Sequence, residues 1–194
     1  TPADCVQIGL YDLVPHRPKM IISGINIGLN IGKARTLSSG TIGAAIEGAI
    51  DGVRSLAASL SIPTALRDKK IDFYTPQNNV LFENAAKITT KVTTIIMDKA
   101  FRDVDLFSLN IPFDATVTTP LEITSLFNTR YGRLFHKKGN KFNHRTPPIQ
   151  FKDMEEQSDL KAISEGKISL TPMNISFSAH MLLNNVEIAS QNKW

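Results

Sequence analysis

Eight of the eleven glycines fall between Gly9 and Gly52, and none lies between residues 53 and 131. Glycine reaches left-handed backbone conformations at no steric cost and lets one segment approach another closely. The first third of the chain is therefore where the backbone makes its tight turns. Apolar periodicity fills the spaces between them. Residues 19–23 form a short apolar run ended by Gly24 and read as a buried strand, with a loop from Gly24 to Gly32 behind it. Ile42, Ala45, Ile46, Ala49 and Ile50 recur at i, i+3, i+4, i+7 and i+8, which marks one buried helix face with Ser39 or Thr41 as its N-cap. Residues 55–60 read as a second strand. Leu81, Ala85, Ile88, Val92, Ile95 and Ile96 trace another helix face, and 104–111 is a third strand closed by Pro112. Alternation of strand and helix is the pattern of a parallel sheet with crossover helices.

Beyond Pro112 the helical rhythm weakens. Residues 121–128 alternate like a strand, a basic run and an acidic stretch at 153–165 follow, and 167–171 is again strand-like. No internal repeat is present. At about 150 residues per domain, 194 residues make one domain. The expectation is a single α/β unit over 1–194, with core strands and helices in 1–115 and the last strands plus a C-terminal extension in 116–194.

Composition removes several function classes. At 42% hydrophobic the chain is not a disordered one. No run of about 18 apolar residues is present to cross a membrane as a helix. The single cysteine, Cys5, excludes an internal disulfide and a cysteine-based zinc site. With apolar neighbours, it reads as buried and inert. Net charge is only +4, and the halves carry 10 basic against 7 acidic and 12 against 11 side chains, so neither is a basic arm. A soluble, cytoplasmic protein is the expectation.

One local exception is 130–145, which holds Arg130, Arg133, Lys137, Lys138, Lys141 and Arg145 with no acidic residue. It reads first as a solvated basic loop, then as a site for an anionic substrate or partner. Its Tyr131, Phe135 and Phe142 could stack on bases, but the run is short and nucleic acid is not an expected partner. His16, His136, His144 and His180 have no metal-ligand spacing and read as structural or solvated. Asn174-Ile175-Ser176 matches a glycosylation acceptor by spelling only.

Chemistry concentrates in two loops. In open α/β sheets, ligands bind beyond the carboxyl ends of the strands. Asn26 and Asn30, each beside glycine, offer amide oxygens to a hard cation and amide hydrogens to an anion. Equally, they could serve only to accommodate left-handed turns. Ser39, Gly40 and Thr41 lie at a helix N-terminus, where free N–H groups and the helix dipole favour an anion. The bland reading there is an ordinary cap. The loops match neither a Walker A sequence nor the G-x-G-x-x-G fingerprint.

Thr1-Pro2-Ala3-Asp4-Cys5-Val6, Ser23-Gly24-Ile25-Asn26-Ile27-Gly28-Leu29-Asn30 and Ser39-Gly40-Thr41-Ile42-Gly43-Ala44-Ala45-Ile46-Glu47-Gly48 together resemble the SurE family of survival-protein nucleotidases and acid phosphatases. Leu109-Asn110-Ile111-Pro112 and Ile168-Ser169-Leu170-Thr171-Pro172 fit the same family in the same order. The resemblance implies a Rossmann-like parallel-sheet sandwich and a divalent-metal-dependent phosphomonoesterase, using Mg2+ or Mn2+, that acts on nucleoside monophosphates or other small phosphate esters. It implies Asn26 as a metal ligand, and Asn30, Ser39, Gly40 and Thr41 as substrate-binding positions. The family's remaining ligands, an aspartate pair and a serine, lie upstream of the Thr-Pro-Ala-Asp motif with which this sequence begins, so the catalytic group is unassigned. Homodimers or homotetramers are implied, built partly by the segment at 181–190. Lys33-Ala34-Arg35-Thr36 departs from the acidic spelling usual before the phosphate loop. The runner-up reading is a catalytically inactive relative that binds a nucleotide or phosphate and acts through partners.

Overall fold

Ser-Leu-Ala-Ala-Ser-Leu and Leu-Phe-Ser-Leu-Asn-Ile each carry four apolar residues in six, and all six side chains of each are buried. Strands covered on both faces read in this way. A computed structural model of the chain describes residues 1–63, 66, 73, 75, 79–99, 101, 103–145 and 154–176. In it these segments are β2 (Ser55–Leu60) and β3 (Leu106–Ile111), paired in parallel at the centre of a sheet. Strand β1 (Ile21–Ile27) pairs in parallel with β2.

Helix α1 (Pro2–Ile8) and a single π-helical turn (Gly9–Leu13) precede β1. Helix α2 (Gly32–Leu37) and helix α3 (Gly40–Ile50) lie between β1 and β2, and helix α4 (Asn79–Asp98) lies between β2 and β3. Side chains alternate across the sheet, so the helices divide its faces. Leu56, Ala58, Leu60, Phe107, Leu109 and Ile111 meet Ala85, Ile88, Val92 and Ile96 of α4. Ala57 and Leu106 point the other way, onto Ile42 and Ala45 of α3.

The chain then adds β4 (Leu121–Ile123), β5 (Phe135–Lys138), β6 (Lys141–His144), helix α5 (Asp159–Ser164) and β7 (Ile168–Met173). The sheet order is β1-β2-β3-β7-β4. The expected parallel pairing holds for β1, β2 and β3. Strand β7 runs antiparallel to β3 and parallel to β4, so the sheet is mixed. Lys167, joined to Glu122 of β4 (3.0 Å) and to Glu165 (2.8 Å), ties this edge together. Lys167 first and Lys161 second hold the Glu165 carboxyl down at about 2.

Other expectations shift locally. The first strand is at a sheet edge and half-exposed, not buried, and it continues through Gly24 to Ile27 where a loop was expected. Gly24, at φ +116 and preceding a cis peptide, breaks the β1–β2 register between Ser23 and Asn26, after which pairing resumes. On α4, Ile95 is 41% exposed while Thr89 takes the buried flank, its Oγ1 donating to the Ala85 carbonyl (2.7 Å). The Leu81 side chain lies outside the described residues. The 121–128 strand shortens to β4, and the acidic stretch contains α5. The basic segment is not a loop but an exposed antiparallel hairpin, β5–β6. Cys5 is exposed rather than buried, because α1 lies on the surface and buries no residue. Among the described residues, no helix is long and apolar enough to cross a membrane.

Candidate functional site

Three parallel strands end side by side, and each carries a polar side chain one residue before its end. These are Asn26 on β1, Ser59 on β2 and Asn110 on β3. The turn after β1 brings Asn30 down onto this row. The Asn30 N–H donates to Asn110 Oδ1 (2.9 Å), and its Nδ2 donates to Ser59 Oγ (2.7 Å). Asn110 Nδ2 returns a bond to the Asn30 carbonyl (3.2 Å), which Thr36 Oγ1 also reaches (3.1 Å). Asn110, Ser59 and Thr36 are at most 1% exposed. Buried polar groups persist only when paired, and a paired network fixes one conformation. Asn30 is thus the centre of a network that sets the turn, with one of its two amide hydrogens committed to Ser59.

Asn26 behaves differently. It is half-buried, and its Nδ2 donates to the Gly28 carbonyl two residues on (2.8 Å). That bond orients the side chain, and among the described residues nothing donates to its Oδ1. A carbonyl-type oxygen held this way is a ligand suited to a hard cation.

The N-termini of the two helices that follow differ in how their donors are used. All three leading N–H groups of α2 are consumed by the protein. Gly32 donates to Asp159 Oδ2 (2.6 Å), Lys33 to the Phe127 carbonyl (2.9 Å) and Ala34 to Thr129 Oγ1 (3.1 Å). Helix α3 is capped by Ser39, not Thr41: Ser39 Oγ accepts from Ile42 N–H (3.2 Å) and its carbonyl from Gly43 N–H (2.9 Å). Among the described residues nothing accepts from the N–H groups of Gly40 or Thr41. The positive end of the α3 dipole and two unspent donors therefore coincide, with Gly40 exposed and Thr41 half-buried. Ser39 still has its hydroxyl hydrogen to donate, because in the cap its oxygen is the acceptor.

Ser39→Ala is expected to cost about 1 kcal/mol of stability through loss of the cap. Urea unfolding measures it, and an unchanged midpoint would remove the capping role.

The geometry brings Asn30, Ser59 and Asn110 together and sets Ser39, Gly40 and Thr41 at the far end of α2 from them. No hydrogen bond among the described residues joins Asn26 to Ser39, Gly40 or Thr41. Ser59, Asn110 and Asp159 were not anticipated as site residues. Asn110 had a signal, since an amide inside a mostly apolar strand needs a partner. Asp159 had none, being one of several acids in its stretch. His16, His136 and His144 are exposed, as expected of solvated side chains, and His144 stacks edge-on against Phe135. His180 lies outside the described residues. Among the described residues no three His, Cys, Asp or Glu side chains cluster as a metal site.

The root of the basic hairpin reaches this region, where Tyr131 OH meets Ser38 Oγ between α2 and α3. A separate cleft of about 550 Å³, lined by Gly24, Ile25, Phe73, Phe82, Glu83 and neighbouring residues, opens between β1 and α4. None of the anticipated site residues lines it.

The profile of the family described as Survival protein SurE matches residues 1–133. A protein of Methanococcus vannielii named 5'-nucleotidase SurE is 35% identical over 97% of the chain and 69% of its own length. One of the same name from Methanocaldococcus jannaschii is 36% identical over 90% of the chain and 65% of its own length. The chain thus spans about two thirds of these relatives. The crystal structure of the SurE protein from Aquifex aeolicus superposes with a TM-score of 0.75 at 24% identity, covering 96% of this chain and 71% of that one. Its likeness establishes the α/β, Rossmann-like fold.

Proposed function

The chain belongs to the SurE family, and on that premise we propose that it carries the phosphate-binding part of a phosphomonoesterase that hydrolyses nucleoside monophosphates. The observation that carries the reading is the pair of unspent N–H donors of Gly40 and Thr41 at the N-terminus of an eleven-residue helix, which the six-residue α2 links to the turn at the carboxyl end of β1. Such an end holds an anion through donor hydrogens and through the helix dipole. The hydroxyls of Ser39 and Thr41 add donors for further phosphate oxygens. Asn30 holds the turn against Ser59 and Asn110, so that these donors do not have to reorganise when the phosphate arrives. Lys33, exposed on α2, contributes positive charge.

A divalent cation, Mg2+ or Mn2+, belongs to this reading. When bound, it neutralises phosphate charge and activates water. The described residues supply one oriented oxygen for it, Asn26 Oδ1, and no cluster of acids. One amide oxygen does not make the octahedral oxygen environment that Mg2+ demands, so the described residues do not hold the metal on their own. The remaining ligands would be the aspartate pair and serine that the family carries upstream of its Thr-Pro-Ala-Asp motif. The same reading includes assembly as a homodimer or homotetramer in the cytoplasm, checked by sedimentation and by fractionation. The segment at 181–190, to which assembly was partly assigned, lies outside the described residues.

The test is release of inorganic phosphate from 5'- and 3'-nucleoside monophosphates with Mg2+ or Mn2+. Turnover abolished by a chelator is expected, and no turnover with any nucleotide would overturn the reading. Asn26→Ala should raise the metal concentration for half-maximal activity about tenfold or more, with thermal stability little changed. An unaltered metal response would remove Asn26 from the site. The second reading, an inactive binding module, is motivated by the basic Lys33-Ala34-Arg35-Thr36 stretch and the exposed basic hairpin. Metal-independent nucleotide binding without turnover would establish it.

A further inference from the structure

We infer that Asp159 is a positioning residue for the phosphate-binding segment, acting through the Gly32 N–H at the start of α2. This assignment rests on the phosphate-binding reading of the α3 N-terminus. Asp159 is fully buried, yet its carboxylate serves three separate pieces of backbone. Oδ2 accepts from Gly32 N–H (2.6 Å), and Oδ1 accepts from Phe127 N–H (3.0 Å) and from Leu160 N–H (2.7 Å). Its own N–H donates to the Ser125 carbonyl (2.9 Å), and the neighbouring Ser158 caps α5.

Burial of a carboxylate disfavours its charge, and hydrogen bonds from N–H groups favour it. Both act on Asp159, with burial pushing its carboxyl up and the N–H groups of Gly32, Phe127 and Leu160 pulling it back. A buried carboxylate is a costly way to hold a loop unless the hold itself matters.

What it holds lies between two parts of the site. Gly32 is two residues past Asn30, and α2 runs directly from Gly32 to the turn that presents Ser39, Gly40 and Thr41. Releasing Gly32 frees the near end of this segment, and Asn30 and the α3 donors lose their fixed relation. The two neighbouring donors, Lys33 and Ala34, are held by Phe127 and Thr129, and Phe127 is itself fixed by Asp159 Oδ1. The clasp is therefore a single unit with Asp159 at its centre.

Asp159→Asn tests this selectively. The amide oxygen keeps Phe127 and Leu160, and the amide nitrogen then faces the Gly32 N–H, donor against donor. Inorganic phosphate binding by titration calorimetry is expected to weaken about tenfold, the scale seen when groups that orient a ligand site are removed. KM for a nucleoside monophosphate should rise by a similar factor, with kcat changed less. With 15N-glycine labelling, the Gly32 amide proton should move upfield as its short bond to a carboxylate is lost.

Ser158→Ala is the structural control. It removes the α5 cap, should lower thermal stability, and should leave phosphate affinity unchanged. If Asp159→Asn fails to fold, Thr129→Val loosens the same helix end by deleting the acceptor for Ala34 and should weaken phosphate binding several-fold. Wild-type phosphate affinity in folded Asp159→Asn, or in Thr129→Val where only that variant folds, overturns the assignment. So does an equal loss of affinity in Ser158→Ala, or no phosphate binding by the wild-type protein. Phosphate binding without turnover would fail the phosphomonoesterase reading while leaving the role of Asp159 intact.

Discussion

Gly24→Ala is expected to lower unfolding free energy by roughly 4 kcal/mol, measured by urea titration with linear extrapolation. Two costs combine. At φ +116 a side chain is strained, at about 1–2 kcal/mol for left-handed backbone. A Cβ would also stand 2.3 Å from the Ala58 carbonyl oxygen, a backbone atom of the central strand that cannot swing away, and overpacking costs about 1–3 kcal/mol. Gly28→Ala is the comparison that separates the two. Its φ is +114, but the nearest atom to a Cβ is the flexible Asn26 side chain at 3.9 Å, so only the backbone cost applies. Equal losses in the two variants would remove the clash from the account.

The second large effect is at Asn110. Asn110→Leu keeps the volume approximately but leaves the Asn30 N–H without its acceptor in a buried turn. An unpaired buried donor costs about 1–3 kcal/mol, and the turn it was holding carries the site. A stability loss of about 3 kcal/mol is therefore expected, together with at least tenfold weaker phosphate binding. The Asn30 carbonyl keeps Thr36, so the variant should still fold. Wild-type stability in Asn110→Leu would show that the Asn30–Asn110 exchange is dispensable.

What the sequence revealed and what it hid divide along physical lines. Local periodicity placed α3, α4, β2 and β3, because their apolar spacing is dictated by one neighbouring surface. The Ser39 cap was equally local, a side chain reaching three residues along its own helix. The direction of β7 was hidden, since alternation along 167–171 is the same whether a strand runs parallel or antiparallel. The hairpin at 135–144 was hidden too, as basic side chains on both strands mask any alternation. Exposure of Cys5 could not be read, because apolar neighbours in sequence do not say whether a helix is covered. Of the candidate site, the local roles were legible: the Ser39 cap and the turn-forming asparagines, Asn26 and Asn30, stand out from their neighbours. Ser59, Asn110 and Asp159 work at long range, and nothing near them in sequence marks their partners.

That long range has a consequence for when the protein becomes competent. The Gly32–Asp159 bond spans 127 positions and the Asn30–Asn110 bond spans 80. Closing loops of this size costs entropy before any contact repays it, and such contacts form late in folding. During synthesis, Asn30 and the Ser39-Gly40-Thr41 turn emerge early, whereas Asp159, which holds the start of α2, emerges after more than a hundred others. A nascent chain thus passes through a long interval with Asn30 and the start of α2 present but unanchored. On the phosphate-binding reading proposed above, capture of phosphate would report that the distal end has arrived and docked.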